Sequence, residues 1–279
     1  VLARPFFRFS NLGNHCSASF TTAFISGAAA NSMLLEFYEQ KNITKLQLFL
    51  SNYVNQFPAF FLHLPTTMFI VLPLTGAAGA LYFLLTFGAT LLRTACFLAF
   101  GHLYLKEPHT SSPHGAAIKG PTAPLKPRIV DAVKKISKIL PGRIARIFTW
   151  VLPIYTLVFI LNINGFFNYL NQAFTGYLSL RLIPIESLSV VVLSFAAEFA
   201  SGFAAAGALM DAGVITTKQT VIALLLGNIL AFPIRALRHQ IPRYMGIFSP
   251  KMGLQLLLSG QLFRILSIVI VGTLFYLAV

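Results

Sequence analysis

Along the chain, apolar runs are long and polar positions interrupt them at only a few places. Residues 6–35 are moderately apolar but broken by Asn11, Gly13, Asn14, His15, Gly27 and Asn31. Such a segment survives at membrane depth only where protein or a water-filled cavity surrounds its backbone. A mixed polar loop over 36–45 precedes a predicted span over 46–62, kinked or ended by Pro58. A short neutral loop, 63–67, then leads into an apolar stretch over 68–105. The stretch 106–126 is rich in Pro, Gly, Ser and His and reads as the boundary between two halves. Over 128–147, Ile129, Val133, Ile136 and Ile139 recur at helical spacing opposite Lys134, Lys135 and Lys138. That pattern predicts a basic amphipathic helix in the membrane interface. The second half opens with a span over 148–170, kinked at Pro153. An apolar but small- and polar-residue-rich stretch follows over 183–212, then a turn at 213–218. A span ending near Pro233, a basic loop and a last span over 250–279 complete the chain. The expected units are therefore 1–105, a linker 106–147, and 148–279.

Composition turns this pattern into a class. Of 279 residues, 56% are hydrophobic and only 10% charged, against roughly 25% charged in soluble domains. At about 20 apolar residues per crossing, the expectation is an all-α polytopic membrane protein with six to eight spanning or re-entrant segments. The formal net charge of +14 invites a nucleic-acid reading, but its distribution points elsewhere. Nine Lys or Arg fall between Lys106 and Arg146 with only Glu107 and Asp131 among them, and Arg235, Arg238, Arg243 and Lys251 form a second cluster. Both flank apolar spans, as cytoplasmic loops do, and the linker fits contact with anionic headgroups. The expected setting is the cell membrane with 106–147 cytoplasmic, without nucleic acid as partner. Cys16 and Cys96 read as free buried thiols, and His102, His109 and His114 lack ligand-like spacing. No metal, cofactor or enzyme is expected, since no paired carboxylates, HExxH or Ser-His-Asp set stands out.

The halves share an ordered set of landmarks. Ile43-Thr44-Lys45, Phe57-Pro58, Pro65, Pro73 and Leu92-Arg93 parallel Ile215-Thr216-Thr217-Lys218, Phe232-Pro233, Pro242, Pro250 and Phe263-Arg264. The neutral loop 63–67 and its basic counterpart after Pro233 fall on opposite sides of the membrane by charge. The path closes only if 6–35 and 183–212 are hairpins that dip in and return. The expected architecture is two inverted-topology repeats, each with a re-entrant helical hairpin and spanning helices. Such repeats place a transport site near the midplane.

The run ESLSVVVLSFAAEFASGFAAAGALMDAGVITTKQTVIALLLGNILAFPIRALRHQIPRYMGIFSPKMGLQL resembles the Gate module. That module occurs in concentrative nucleoside transporters, the ferrous-iron transporter B family, sporulation membrane proteins and "nucleoside recognition" membrane proteins. The resemblance covers 183–279 well and the first half weakly. It implies a membrane module lining a permeation path, without implying nucleoside as the solute. No GxxxxGK[ST] motif is present, so the energised iron-transport arrangement is absent from this chain.

These readings predict a transporter or channel for a small polar solute or ion, its path at the interface of the repeats. The alternative is a structural or assembly membrane subunit without a solute path. Glu198, with no other charge from Ser187 to Met210, is the sharpest candidate: an intramembrane acid binds a cation, a substrate hydroxyl or a proton. The alternative is a helix-end acid at the membrane surface. Arg93 and Arg264 sit deep in matched apolar runs and are expected to face the bundle, paired with an acid, helix ends or an anionic substrate. Asn14, His15, Asn55 and Asn228 supply neutral donors and acceptors, for interhelical bonds or for a solute. A homo-oligomer would follow the two-fold default.

Overall fold

In the computed structural model the chain is described over residues 4–105, 185–196 and 199–278, with isolated positions between 153 and 169. The linker 106–126, the amphipathic stretch 128–147 and most of the span 148–170 lie outside the described residues. Among the described residues every regular element is helical: α1 (Arg4–Phe9), α2 (Gly13–Ala23), α3 (Gly27–Glu39), α4 (Lys45–Val54), α5 (Gln56–Tyr104), α6 (Ile185–Ala196), α7 (Phe199–Asp211), α8 (Thr217–Arg235), a π-helical turn (Ala236–Gln240), α9 (Ile241–Ile247) and α10 (Pro250–Ala278). Among the described residues three stretches are long and apolar enough to cross a membrane: Lys45–Tyr104, Thr217–Ile247 and Pro250–Ala278. The chain is an all-helical protein of polytopic membrane character.

The first of these is 60 residues long, about 90 Å at 1.5 Å per residue and three times the bilayer core. It does not run straight. Gly76 adopts φ 50°, ψ −124° inside α5, a conformation that glycine alone enters without penalty. The chain reverses there, and Phe57, Phe60 and Phe61 return to within 5.8–6.3 Å of the Phe87 ring. The loop expected at 63–67 is instead helical. Pro65 lies inside α5, and the Thr67 hydroxyl donates to the carbonyls of His63 and Leu64, both at 3.0 Å.

The basic stretch after Pro233, expected as a cytoplasmic loop, is also helical. It continues α8 through the π turn into α9. Pro242 has no N–H to give the Arg238 carbonyl, and the wide turn absorbs that gap: the N–H of Ile241 reaches back to the Ala236 carbonyl.

Local geometry recurs along the chain at a fixed spacing. The starts of α2 and α6, the starts of α3 and α7, and the cap residues Thr44 and Thr216 are each 172 apart (185 − 13, 199 − 27, 216 − 44). Lys41 and Gly213, also 172 apart (213 − 41), have φ of 60° and 68°. Each closes a helix with a paired C-cap: the N–H of Asn42 donates to the Phe37 carbonyl, and that of Val214 to the Leu209 carbonyl, both at 2.9 Å. The following N-caps match as well. Thr44 and Gln47 exchange bonds of 3.2 and 2.9 Å, and Thr216 and Gln219 bonds of 3.3 and 2.8 Å, the reciprocal capping box. Each helix pair, α2–α3 and α6–α7, forms a hairpin; Ser19 donates to the Ala30 carbonyl at 3.1 Å across the first.

Directions follow from cross-chain contacts. Lys45 meets Gln255 and Tyr53 meets Ser259, so α4 runs parallel to α10. Lys218 approaches Tyr276, and Arg264 covers Phe232, so α8 runs antiparallel to α10. The counterpart segments starting at Thr44 and Thr216 therefore point in opposite directions.

The outside of α10 is apolar, with Leu258, Leu262, Leu266, Ile270, Leu274 and Leu277 exposed. Midway along it Gln261, Arg264 and Ser267 are buried or half-buried, the arrangement lipid demands of polar groups at that depth.

Candidate functional site

Between the arms of α5, the α8–π–α9 run and α10 lies a cavity of about 510 Å³. Arg93, Arg235, Arg243 and Arg264 all line it, and none of its described lining residues is acidic. They form a graded series: Arg243 is exposed, Arg235 and Arg264 are partly buried, and Arg93 is only 7% exposed. Arg264 sits fifteenth of the 29 residues of α10, so about 20 Å of helix extends to either side.

Each guanidinium is held by a specific neighbour. Arg93 donates from Nη1 to the Ser267 hydroxyl at 2.9 Å, and Ser267 donates in turn to the Arg264 carbonyl at 2.9 Å. The buried Nε of Arg93 has no acceptor among the described residues. The Arg264 guanidinium lies 3.3 Å from the centroid of the Phe232 ring, whereas Arg235 lies 5.6 Å from it. The closer contact is a cation–π stack. Arg235 also donates from Nη2 to Asn228 Oδ1 at 3.3 Å, while the Asn228 amide donates to the Tyr82 hydroxyl. A chain Tyr82–Asn228–Arg235 thus ties the second arm of α5 to α8.

Glutamines complete the polar wall. Gln56 enters from the start of α5, and Gln261 donates from Nε2 to Gln240 Oε1 at 3.2 Å. The Oε1 of Gln261 is buried without a donor among the described residues. Gln240 ends the π turn, and Arg235 and Arg243 flank it, so the wide turn aims three lining residues at one space. Such turns often occur where function needs a re-aimed side chain.

Arg93, Arg264 and Asn228 from the sequence-predicted set are brought together. Asn55 is not among the lining residues: it is buried at the break between α4 and α5, where Nδ2 donates to Ser19 Oγ at 2.8 Å. Asn14 and His15 are exposed on α2, with His15 tilted against Phe37 at 4.7 Å. Glu198 lies outside the described residues, immediately before Phe199 in the sequence. Arg235 and Arg243 were missed because their charge reads as a topological marker. The signal for Arg235 was its spacing: seven residues after Asn228, two turns on, it shares that residue's helix face.

No family model matches the chain, and no solved structure matches it. It is similar to three proteins of Methanocaldococcus jannaschii named as uncharacterized. MJ1556 is 28% identical over 95% of this chain and 82% of its own. MJ0871 is 25% identical over 91% and 77%, and MJ0880 is 24% identical over 91% and 81%. The similarity spans both halves and the segment between them.

Proposed function

We propose that this chain is a membrane transporter or channel for a small polar solute or ion. In this reading it consists of two inverted repeats whose shared interface forms the path, and 106–147 lies on the cytoplasmic side of the cell membrane. The observation that carries the proposal is the polar, arginine-lined cavity between segments contributed by both halves, in a chain whose outer helix faces are apolar. A purely structural subunit has no use for four cationic side chains facing a void, because burying charge in lipid surroundings is costly. The recurrence at 172-residue spacing with opposed directions supports the repeat reading. So do the hairpin helices: α2 and α3 have 11 and 13 residues, about 17 and 20 Å. That is too short to cross a core of about 30 Å and fits re-entrant segments. The resemblance of 183–279 to the Gate module points to the same class.

The test is flux into proteoliposomes of the reconstituted full chain, using a panel of anionic, neutral and cationic solutes. Thr86 lines the cavity and is 9% exposed, whereas Leu84 is 63% exposed. Thr86→Trp is expected to block flux and Leu84→Trp to leave it intact. Equal flux in both variants would place the path elsewhere, and no flux of any solute by wild type would favour an assembly role.

A further inference from the structure

We propose that the cavity binds the oxyanion of a small hydroxylated organic solute, a phosphate or carboxylate group held by the guanidinium groups of Arg93 and Arg264. This rests on reading the cavity as the solute site and adds the chemical class of the solute. Four guanidinium groups share a space of about 510 Å³ with no acidic residue among the described lining residues. Like charges gathered there repel, and Arg93 and Arg264 gain a favourable partner when an anion enters. Arginine suits that partner: its planar fork of N–H groups matches carboxylate and phosphate oxygens in pairs.

Two details mark the deep end as built to receive a ligand. Arg93 is buried, yet among the described residues its Nε has no acceptor; its Nη1 donates to the Ser267 hydroxyl. The Arg264 guanidinium lies over the Phe232 ring, 3.3 Å from its centroid, which restrains the group while its N–H donors remain for acceptors. Through Ser267, which bonds both Arg93 and the backbone of Arg264, the two cations are held in register. The arginines become more buried inward from Arg243, so the field rises along the direction of approach and draws an anion in.

The rest of the wall defines what the oxyanion is attached to. The volume falls within the range of about 300–1,000 Å³ typical of small-molecule sites, well beyond what an inorganic anion fills. Gln261 Oε1, buried and without a donor among the described residues, is an acceptor for a solute hydroxyl. Phe60 and Tyr244 offer apolar walls. Sugar phosphates and hydroxycarboxylates have this combination, and so does the headgroup of a phosphatidylglycerol lipid.

The experiment titrates radiolabelled glycerol 3-phosphate against the full chain in phosphatidylcholine nanodiscs. Saturable binding is expected, weakened by salt and weakened about tenfold or more by Arg93→Met and by Arg264→Met. Arg93→Lys, which keeps the charge without the fork, should fall between. Folding of each variant is checked by its unfolding midpoint, which glycerol 3-phosphate should raise in wild type and leave unmoved in Arg264→Met. No saturable binding by wild type overturns the proposal, as does binding equal to wild type in both Met variants. Phosphatidylglycerol that copurifies with wild type alone, with no binding of free glycerol 3-phosphate, assigns the site to a lipid and overturns the solute. Binding without liposome flux would uphold the anion site and remove the transport reading. Flux of a neutral or cationic solute without anion binding would do the opposite.

Discussion

Replacing Phe232 by Leu tests whether the Arg264–Phe232 stack is an energetic contact or a coincidence of packing. The ring is 9% exposed and its centroid lies 3.3 Å from the Arg264 guanidinium. A cation–π contact so poorly hydrated is worth about 2 kcal/mol. Phe232→Leu alone also costs up to about 1.5 kcal/mol through repacking, so the single variant is ambiguous. A double-mutant cycle with Arg264→Met cancels the repacking, because that cost is present whichever residue stands at 264. The expected coupling is about 1–2 kcal/mol, against the ~0.5 kcal/mol within which independent sites add. The assay is unfolding of the purified chain in mixed detergent micelles, followed by circular dichroism. Additivity of the two substitutions within about 0.5 kcal/mol would refute the stack as a source of order in the cavity.

Other expectations concern the frame that holds the cavity. Lys41 occupies the left-handed C-cap position that Gly213 fills in the second half, so Lys41→Gly should stabilise the chain by about 1 kcal/mol; a destabilised variant would contradict the cap. Thr44→Ala and Thr216→Ala each remove one arm of a matched capping box and should cost about 1 kcal/mol apiece, read by the same unfolding assay, with unequal losses arguing against equivalence. Gly76→Ala meets no atom within 4 Å of its added carbon, so a loss of about 1–3 kcal/mol would come from backbone strain alone, and an unchanged stability would remove Gly76 as the pivot of the reversal.

Much of this arrangement was legible in the sequence. The absence of charge over long stretches predicts a helical membrane protein, because no other fold hides so few polar groups. The two small-residue segments, interrupted by polar residues and Gly, correspond to the helical hairpins around α2–α3 and α6–α7. The prolines misled in two ways. They placed the first reversal at 63–67, whereas α5 runs on past Pro65 and turns at Gly76, since a positive-φ glycine reverses a chain more sharply than a proline. They also set a register that the structure does not keep. Pro65 and Pro242 are 177 apart (242 − 65), whereas the caps at Thr44 and Thr216 are 172 apart. Only the Ile-Thr landmark carried the observed spacing. Arg93 and Arg264 stood out because each is a charge deep in an apolar run. Arg235 and Arg243 did not, because flanking basic residues read as topology, and only the π turn brings them to the cavity.

Sided accessibility of the cavity wall is the most direct measurement of a solute path between the halves. In a background with Cys16 and Cys96 replaced, Thr86→Cys puts a thiol on the wall, and Leu84→Cys puts one on a surface that is 63% exposed and apolar. A membrane-impermeant maleimide applied to proteoliposomes should modify Thr86→Cys and spare Leu84→Cys, which faces lipid. If Thr86→Cys reacts no faster than Leu84→Cys from either side of the membrane, water does not reach the cavity and the chain has no path through it.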